Sequence, residues 1–124
     1  MSSDTPFVSF IVPTLNSEEY LPGCLGAIRD QDYPLDRIEI LVCDGGSTDA
    51  TRAIAERFGA RIVPNPRRTA EAGKAEGIAA ASGDLLAFVD SDNVIVGRDW
   101  LRRMVAPLRD SSIASSEVLR WAYE

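Results

Sequence analysis

Apolar positions along the chain fall into short runs separated by polar breaks rich in glycine and proline. Phe7–Val12 (FVSFIV) is β-branched and aromatic and stops at Pro13, the pattern of a buried strand. Tyr20, Leu21, Cys24, Leu25 and Ile28 then recur at helical spacing. Ser17 is placed to cap that helix, and Pro22 lies early enough for it to accept. Tyr33-Pro34 ends the segment. Ile38–Cys43 (IEILVC) predicts a second strand, broken by Asp44-Gly45-Gly46. Ser47 or Thr48 is expected to cap a helix running to about Phe58, with Gly59 as its stop. Arg61–Val63 predicts a brief third strand, and Pro64 and Pro66 bracket a loop. Thr69–Ala81 is alanine-rich and helix-favouring. Leu85–Val89 (LLAFV) predicts a fourth strand, and its nearly unbroken apolar character predicts a central position. From Arg98 onward, Trp100, Leu101, Met104, Val105 and Leu108 line one helix face. Ile113–Leu119 is a candidate fifth strand.

Strands and helices alternate, which predicts crossover units and an α/β fold. The expected architecture is a Rossmann-like, mostly parallel sheet with helices on both faces. Residues 1–124 read as a single domain without repeat or linker. Sheets of this kind bind ligands beyond the carboxyl ends of their strands. Three polar clusters fall there: Pro13-Thr14-Leu15-Asn16-Ser17-Glu18, Asp44-Gly45-Gly46-Ser47-Thr48-Asp49 and Asp90-Ser91-Asp92-Asn93.

Composition narrows the chemistry. Hydrophobic residues make up 45% and charged residues 26%, ordinary for a folded soluble domain. Thirteen basic against 19 acidic residues leave a net charge of −6, which disfavours nucleic acid as a partner. Histidine is absent, so His-based triads, HExxH zinc sites and a histidine base are excluded. Cys24 and Cys43 sit in apolar surroundings and read as buried free thiols in a reducing compartment. The longest stretch free of Asp, Glu, Lys and Arg, Thr5–Ser17, is well short of the ~20 residues that span a bilayer. No secretion signal is recognisable, and a cytoplasmic location, including the cytoplasmic face of a membrane, is expected.

Neither GxxxxGK[ST], GxGxxG nor GxSxG occurs. A diphosphate can still be held in an acidic protein where a divalent cation bridges it. Asp90 and Asp92, two apart at a strand end, suit that role, and hard oxygen ligands favour magnesium or manganese over zinc. Plainer readings stand beside this one. Asp44 before two glycines is also turn chemistry. Asp90 and Asp92 also read as a capped turn, and Lys74 as a solvated helix residue.

VSFIVPTLN, ILVCDGGSTDAT and GKAEGIAAASGDLLAFVDSDN, in this order and spacing, resemble the inverting family 2 glycosyltransferases of GT-A fold. The resemblance covers about Phe7 to Leu108. It implies transfer of a sugar from a nucleotide-diphosphate donor, UDP-linked, to a hydroxyl acceptor, saccharide or lipid-linked, with inversion. Pro13, Thr14 and Asn16 would line the nucleotide pocket, and Glu18, or else Glu19, would contact the ribose or help shape its loop. Asp44 would accept the imide N–H of a uracil-like base. Lys74 would lie near the diphosphate. Asp90 and Asp92 would form the metal-binding DxD motif, with Asp90 nearer ribose or metal. Gly45 stands where members often carry a second aspartate. The general base of this family follows the DxD motif at a distance, and about 30 residues follow it here. No catalytic base is therefore assigned, and the chain is expected to carry the donor site alone. A C-terminal part beyond Glu124 or a homo-oligomer would complete it. The alternative is a non-catalytic nucleotide-binding module that assembles with a partner subunit. A nucleotidyltransferase or receiver domain fits less well, because Pro13–Asn16 stands where those need a basic glycine loop or an acidic pair.

Overall fold

The computed structural model describes residues 5–109. The elements are β1 (Val8–Thr14), α1 (Leu21–Arg29), β2 (Ile38–Asp44), α2 (Thr51–Arg57), β3 (Arg61–Pro64), α3 (Ala70–Ala80), β4 (Leu85–Phe88) and α4 (Trp100–Val105). Short 3-10 turns occupy Leu35–Arg37 and Ala106–Arg109. The strands form one sheet in the order β3-β2-β1-β4, every pair parallel. The expected α/β sheet is therefore present. The fifth-strand candidate, Ile113–Leu119, lies outside the described residues.

Strand alternation sends successive side chains to opposite faces, and both faces are covered. On one, Val8, Phe10, Val12, Ile38, Ile40 and Val42 pack with α1, α2 and α4. On the other, Ile11, Leu41, Cys43 and Val63 form a smaller cluster. Alpha helix α3 lies close on that face because Gly77 permits it. A Cβ at Gly77 would sit 2.5 Å from Ile11 Cγ2 and 3.0 Å from Cys43 Sγ. Both cysteines are buried and unpaired, as expected. Among the described residues, no helix is long and apolar enough to cross a membrane.

Three expectations need correction. First, β1 runs through Pro13 to Thr14 rather than stopping at Val12. The carbonyls of Phe7 and Ile11 accept from β4-side amides, whereas that of Thr14 accepts from Gly45 N. Odd positions of β1 thus face β4, whose last paired residue, Phe88, matches Ile11. The missing N–H of Pro13 falls beyond the end of β4, so the proline disrupts no ladder.

Second, β4 is an edge strand among the described residues, and β1 and β2 are central. Leu85 and Ala87 pack on the large core, but Leu86 is 41% and Phe88 48% exposed. A continuous apolar run reports affinity for two covered faces, not position within the sheet.

Third, neither Ser17 nor Ser47 nor Thr48 caps a helix with its side chain. Tyr20 and Ala50 occupy those cap positions without side-chain capping bonds. The serine hydroxyls are engaged elsewhere, as described below. Gly59 does end α2 as anticipated, at φ 77°.

Candidate functional site

The parallel register brings the carboxyl ends of β1 and β2 level, with Thr14 beside Asp44. Thr14 Oγ1 donates to Asp44 Oδ1 at 2.8 Å, and Ser47 Oγ donates to the same oxygen at 2.5 Å. The other oxygen, Oδ2, accepts from Gly46 N at 3.1 Å and Ser47 N at 2.8 Å. Asp44 is 4% exposed. Burial pushes its carboxyl up, but the bonds from Ser47, Thr14 and Gly46 outweigh that and hold it below its ordinary value. Its four accepting positions are all taken by protein donors.

The first loop is tied to the second by side chains the sequence singled out. Asn16, in the left-handed region at φ 50°, accepts from Thr48 N through Oδ1 at 2.9 Å. Its own N–H donates to Ser47 Oγ at 2.8 Å. Glu18 Oε1 accepts from Ala50 N at 2.8 Å, ahead of α2, and Ser17 N donates to Thr51 Oγ1 at 2.7 Å. Asn16 and Glu18 are thus latches between the two loops. Neither signal was visible as pairing in the sequence, because the partners lie about 30 residues away.

The third loop joins through two short side chains. Ser91 Oγ donates to Ser17 Oγ at 3.2 Å, and Cys24 Sγ contacts the Asp90 carbonyl at 3.6 Å. Asp90 and Asp92 are exposed, and among the described residues neither carboxylate has a hydrogen-bond or ion-pair partner. Burial first, then the charges of Asp92 and Asp90, push the Cys24 thiol up to about 12. Two uncompensated carboxylates on one turn fit a hard divalent cation whose other ligands come from water and phosphate. No group of three or more ligating side chains occurs among the described residues, so the protein alone supplies no closed cage.

Lys74 follows Gly73, whose virtual Cβ would meet Pro13 Cβ and Asn65 Nδ2, each at 3.1 Å. Its ammonium pairs with Glu71, three residues back on the same helix, at 3.5 Å. The predicted residues Pro13, Thr14, Asn16, Glu18 and Asp44 are therefore brought together directly. Asp90 and Asp92 join through Ser91 and Cys24, whereas the Lys74 ammonium is held by Glu71 of its own helix.

A cleft of about 340 Å³ opens at this end of the sheet, lined in part by Asp44, Gly45, Gly46, Arg52, Asn65 and Arg68. Asn65, Arg52 and Arg68 were not among the predicted nucleotide-binding residues. Asn65 follows β3, and the strand-end rule applied to that short strand would have found it. A larger cleft of about 450 Å³ lies by Tyr33 and holds none of the predicted residues. Arg98 pairs there with Asp30 and Arg102 with Asp32, while Arg29 donates to the Phe58 and Gly59 carbonyls.

Residues 9–118 match the family described as Glycosyl transferase family 2. Among curated relatives, the glycosyltransferase AglE of Haloferax volcanii is 34% identical over 119 residues, covering 91% of this chain and 39% of that protein. The poly(ribitol-phosphate) beta-N-acetylglucosaminyltransferase TarS of Staphylococcus aureus is 36% identical over 93 residues, covering 70% of this chain and 16% of that protein. The mannosyltransferase PcManGT from Pyrobaculum calidifontis, solved with GDP-Man and Mn2+, superimposes with a TM-score of 0.81 at 30% identity. That match covers 88% of this chain and 34% of the other. TarS 1–349 solved with UDP-GlcNAc gives a TM-score of 0.72 at 30% identity, covering 84% of this chain and 31% of the other. The sheet, its helices and the three laced strand ends are those of a GT-A glycosyltransferase fold. The chain belongs to glycosyl transferase family 2, and it spans well under half the length of these relatives.

Proposed function

We propose that this chain carries the donor site of an inverting, metal-assisted glycosyltransferase. Its donor is a nucleotide-diphosphate sugar, UDP-linked, and its acceptor a hydroxyl of a saccharide or lipid-linked molecule. The observation that carries the reading is the lacing of Asp90 and Asp92, both unpartnered among the described residues, to the Thr14–Asp44 loops. Relatives solved with UDP, UDP-GlcNAc, GDP-Man and Mn2+ support it.

In such a transfer the bond from the sugar's anomeric carbon to the diphosphate breaks as the acceptor hydroxyl attacks from the opposite face. The hydroxyl proton passes to a carboxylate base, which is assigned to no residue here. Charge developing on the leaving diphosphate is the main barrier. A divalent cation, magnesium or manganese, held by Asp92 with Asp90 supplies positive charge against it. Lys74 adds a second positive charge from the α3 side. Thr14, Asn16 and Glu18 tie the first loop to the second before the nucleotide arrives. Asp44, its carboxylate held by Thr14, Gly46 and Ser47, builds the wall beside which the base lies.

The test is calorimetric titration of UDP and GDP with manganese, repeated in EDTA and with Asp92→Asn. Metal-dependent binding lost in the variant is expected, without sugar transfer to added acceptors by the 124-residue chain. A folded chain that binds neither nucleotide refutes the donor-site reading, and transfer at full enzymatic rates refutes the donor-only assignment.

The second reading, a non-catalytic nucleotide-binding module with a partner subunit, is favoured by the exposed Leu86 and Phe88 on β4, an edge strand among the described residues. Metal-independent nucleotide binding by a stable assembly in sedimentation would support it.

A further inference from the structure

Among the residues lining the cleft, Asn65 carries an unpartnered acceptor, whereas Asp44 does not. Asn65 is 3% exposed, and its Nδ2 donates to the Thr69 carbonyl at 2.9 Å. Its Oδ1 is buried without a hydrogen-bond partner among the described residues. A buried amide oxygen with no donor carries an unmet desolvation cost, so a donor arriving there gains more than an ordinary hydrogen bond. The backbone places it well: Asn65 N donates to the Asp44 carbonyl at 2.9 Å, so the two residues share one end of the cleft. The carboxylate of Asp44, in contrast, has no accepting position left.

We infer that Asn65 Oδ1 accepts a ring N–H of the donor's nucleobase and thereby sets base specificity, while Asp44 shapes the loop beside it. The exposed Arg68, at φ 69° on the rim, supplies a donor for the neighbouring ring carbonyl. Its guanidinium is close to Gly46, 3.7 Å from where a Cβ would be. An acceptor beside a donor reads an N–H flanked by C=O, the edge shared by uracil and guanine. Adenine has no ring N–H on that edge and presents an exocyclic amine beside a ring acceptor instead. Because this oxygen is screened, the base reaches it only if the exposed rim at Pro66 and Arg68 moves aside.

This inference rests on the donor-site reading, and the experiment separates the two. UDP, GDP, ADP and inorganic diphosphate are titrated with manganese into the 124-residue chain and into Asn65→Leu, with thermal melts of both. The expected result is about tenfold weaker UDP or GDP binding in the variant, the size of one well-made buried hydrogen bond. Diphosphate affinity stays unchanged. Equal weakening of nucleotide and diphosphate overturns the inference, since it would mark a merely structural role through Thr69. Unchanged nucleotide affinity also overturns it and leaves the donor site standing. ADP binding wild type as tightly as UDP or GDP overturns the reading of the base edge. No nucleotide binding by the wild type overturns both. Should Asn65→Leu not fold, wild type is titrated with UDP methylated at N3, or GDP methylated at N1. Binding equal to that of the parent nucleotide overturns the inference, and a loss of tenfold or more supports it.

Discussion

Replacing Asp44 by alanine and by asparagine separates two roles that its position allows. Alanine removes all four accepting positions, and the amides of Gly46 and Ser47 lose their partner. The Thr14 and Ser47 hydroxyls can turn to other acceptors, but the two backbone N–H groups are partly buried and fixed. Each orphaned buried donor costs about 1–3 kcal/mol, so partial solvent access leaves a total of about 3 kcal/mol. For a chain of this length that lowers Tm by about 10 °C. Asparagine behaves differently. Its oxygen can keep the two backbone amides, and its NH2 can replace Oδ1 by donating to the Thr14 and Ser47 hydroxyls, which accept as readily as they donate. The expected loss is within about 1 kcal/mol. Circular dichroism melts and urea titrations of the two variants decide the matter. The reasoning fails if Asp44→Ala melts within about 3 °C of wild type, the shift of less than 1 kcal/mol. It fails equally if Asp44→Asn falls as far as alanine.

Gly77→Ala forces a methyl to within 2.5 Å of Ile11 Cγ2, and Ile11 is fully buried and cannot retreat. Overpacking at about 2 kcal/mol, less about 1 kcal/mol of helix propensity gained, predicts a net loss of about 1 kcal/mol, read as a lower urea midpoint at unchanged slope. Gly45→Asp presses a Cβ to 3.1 Å from Arg68 Cα, so the 65–68 turn must move. Trypsin cleavage after Arg67 or Arg68 should become severalfold faster, and an unchanged rate would contradict this packing. The carboxyl of Asp44 is held below its ordinary value of 3.8, so its stabilisation is complete above that value and lost as pH falls through the lower folded-state value. Urea midpoints of wild type and Asp44→Asn between pH 6 and 2.5 should therefore converge, or cross in favour of the variant, below about pH 4.

Local chemistry was legible from the sequence wherever a residue's role depends on its chain neighbours. FVSFIV, IEILVC and LLAFV announced strands through β-branched and aromatic runs, and Gly59 announced a helix end through its tolerance of positive φ. The alternation of strands and helices determined the α/β class, and with it the edge of the sheet at which to look. The ensemble of Asp44, Asp90 and Asp92 after strands marked the site for the same reason. What only the tertiary structure decided involves pairs distant in sequence. Register put Thr14 beside Asp44 and filled that carboxylate with four donors. Folding drew Ser17 and Ser47 from their expected capping roles, because a buried hydroxyl takes the partner that tertiary contact offers rather than the nearest amide. Among the described residues β4 stands at an edge despite its apolar run, since hydrophobicity encodes burial and not neighbours. Asn65 shows the limit most clearly. An asparagine between two prolines reads as a turn, and only burial of its amide without a donor for Oδ1 distinguishes it as an acceptor awaiting one.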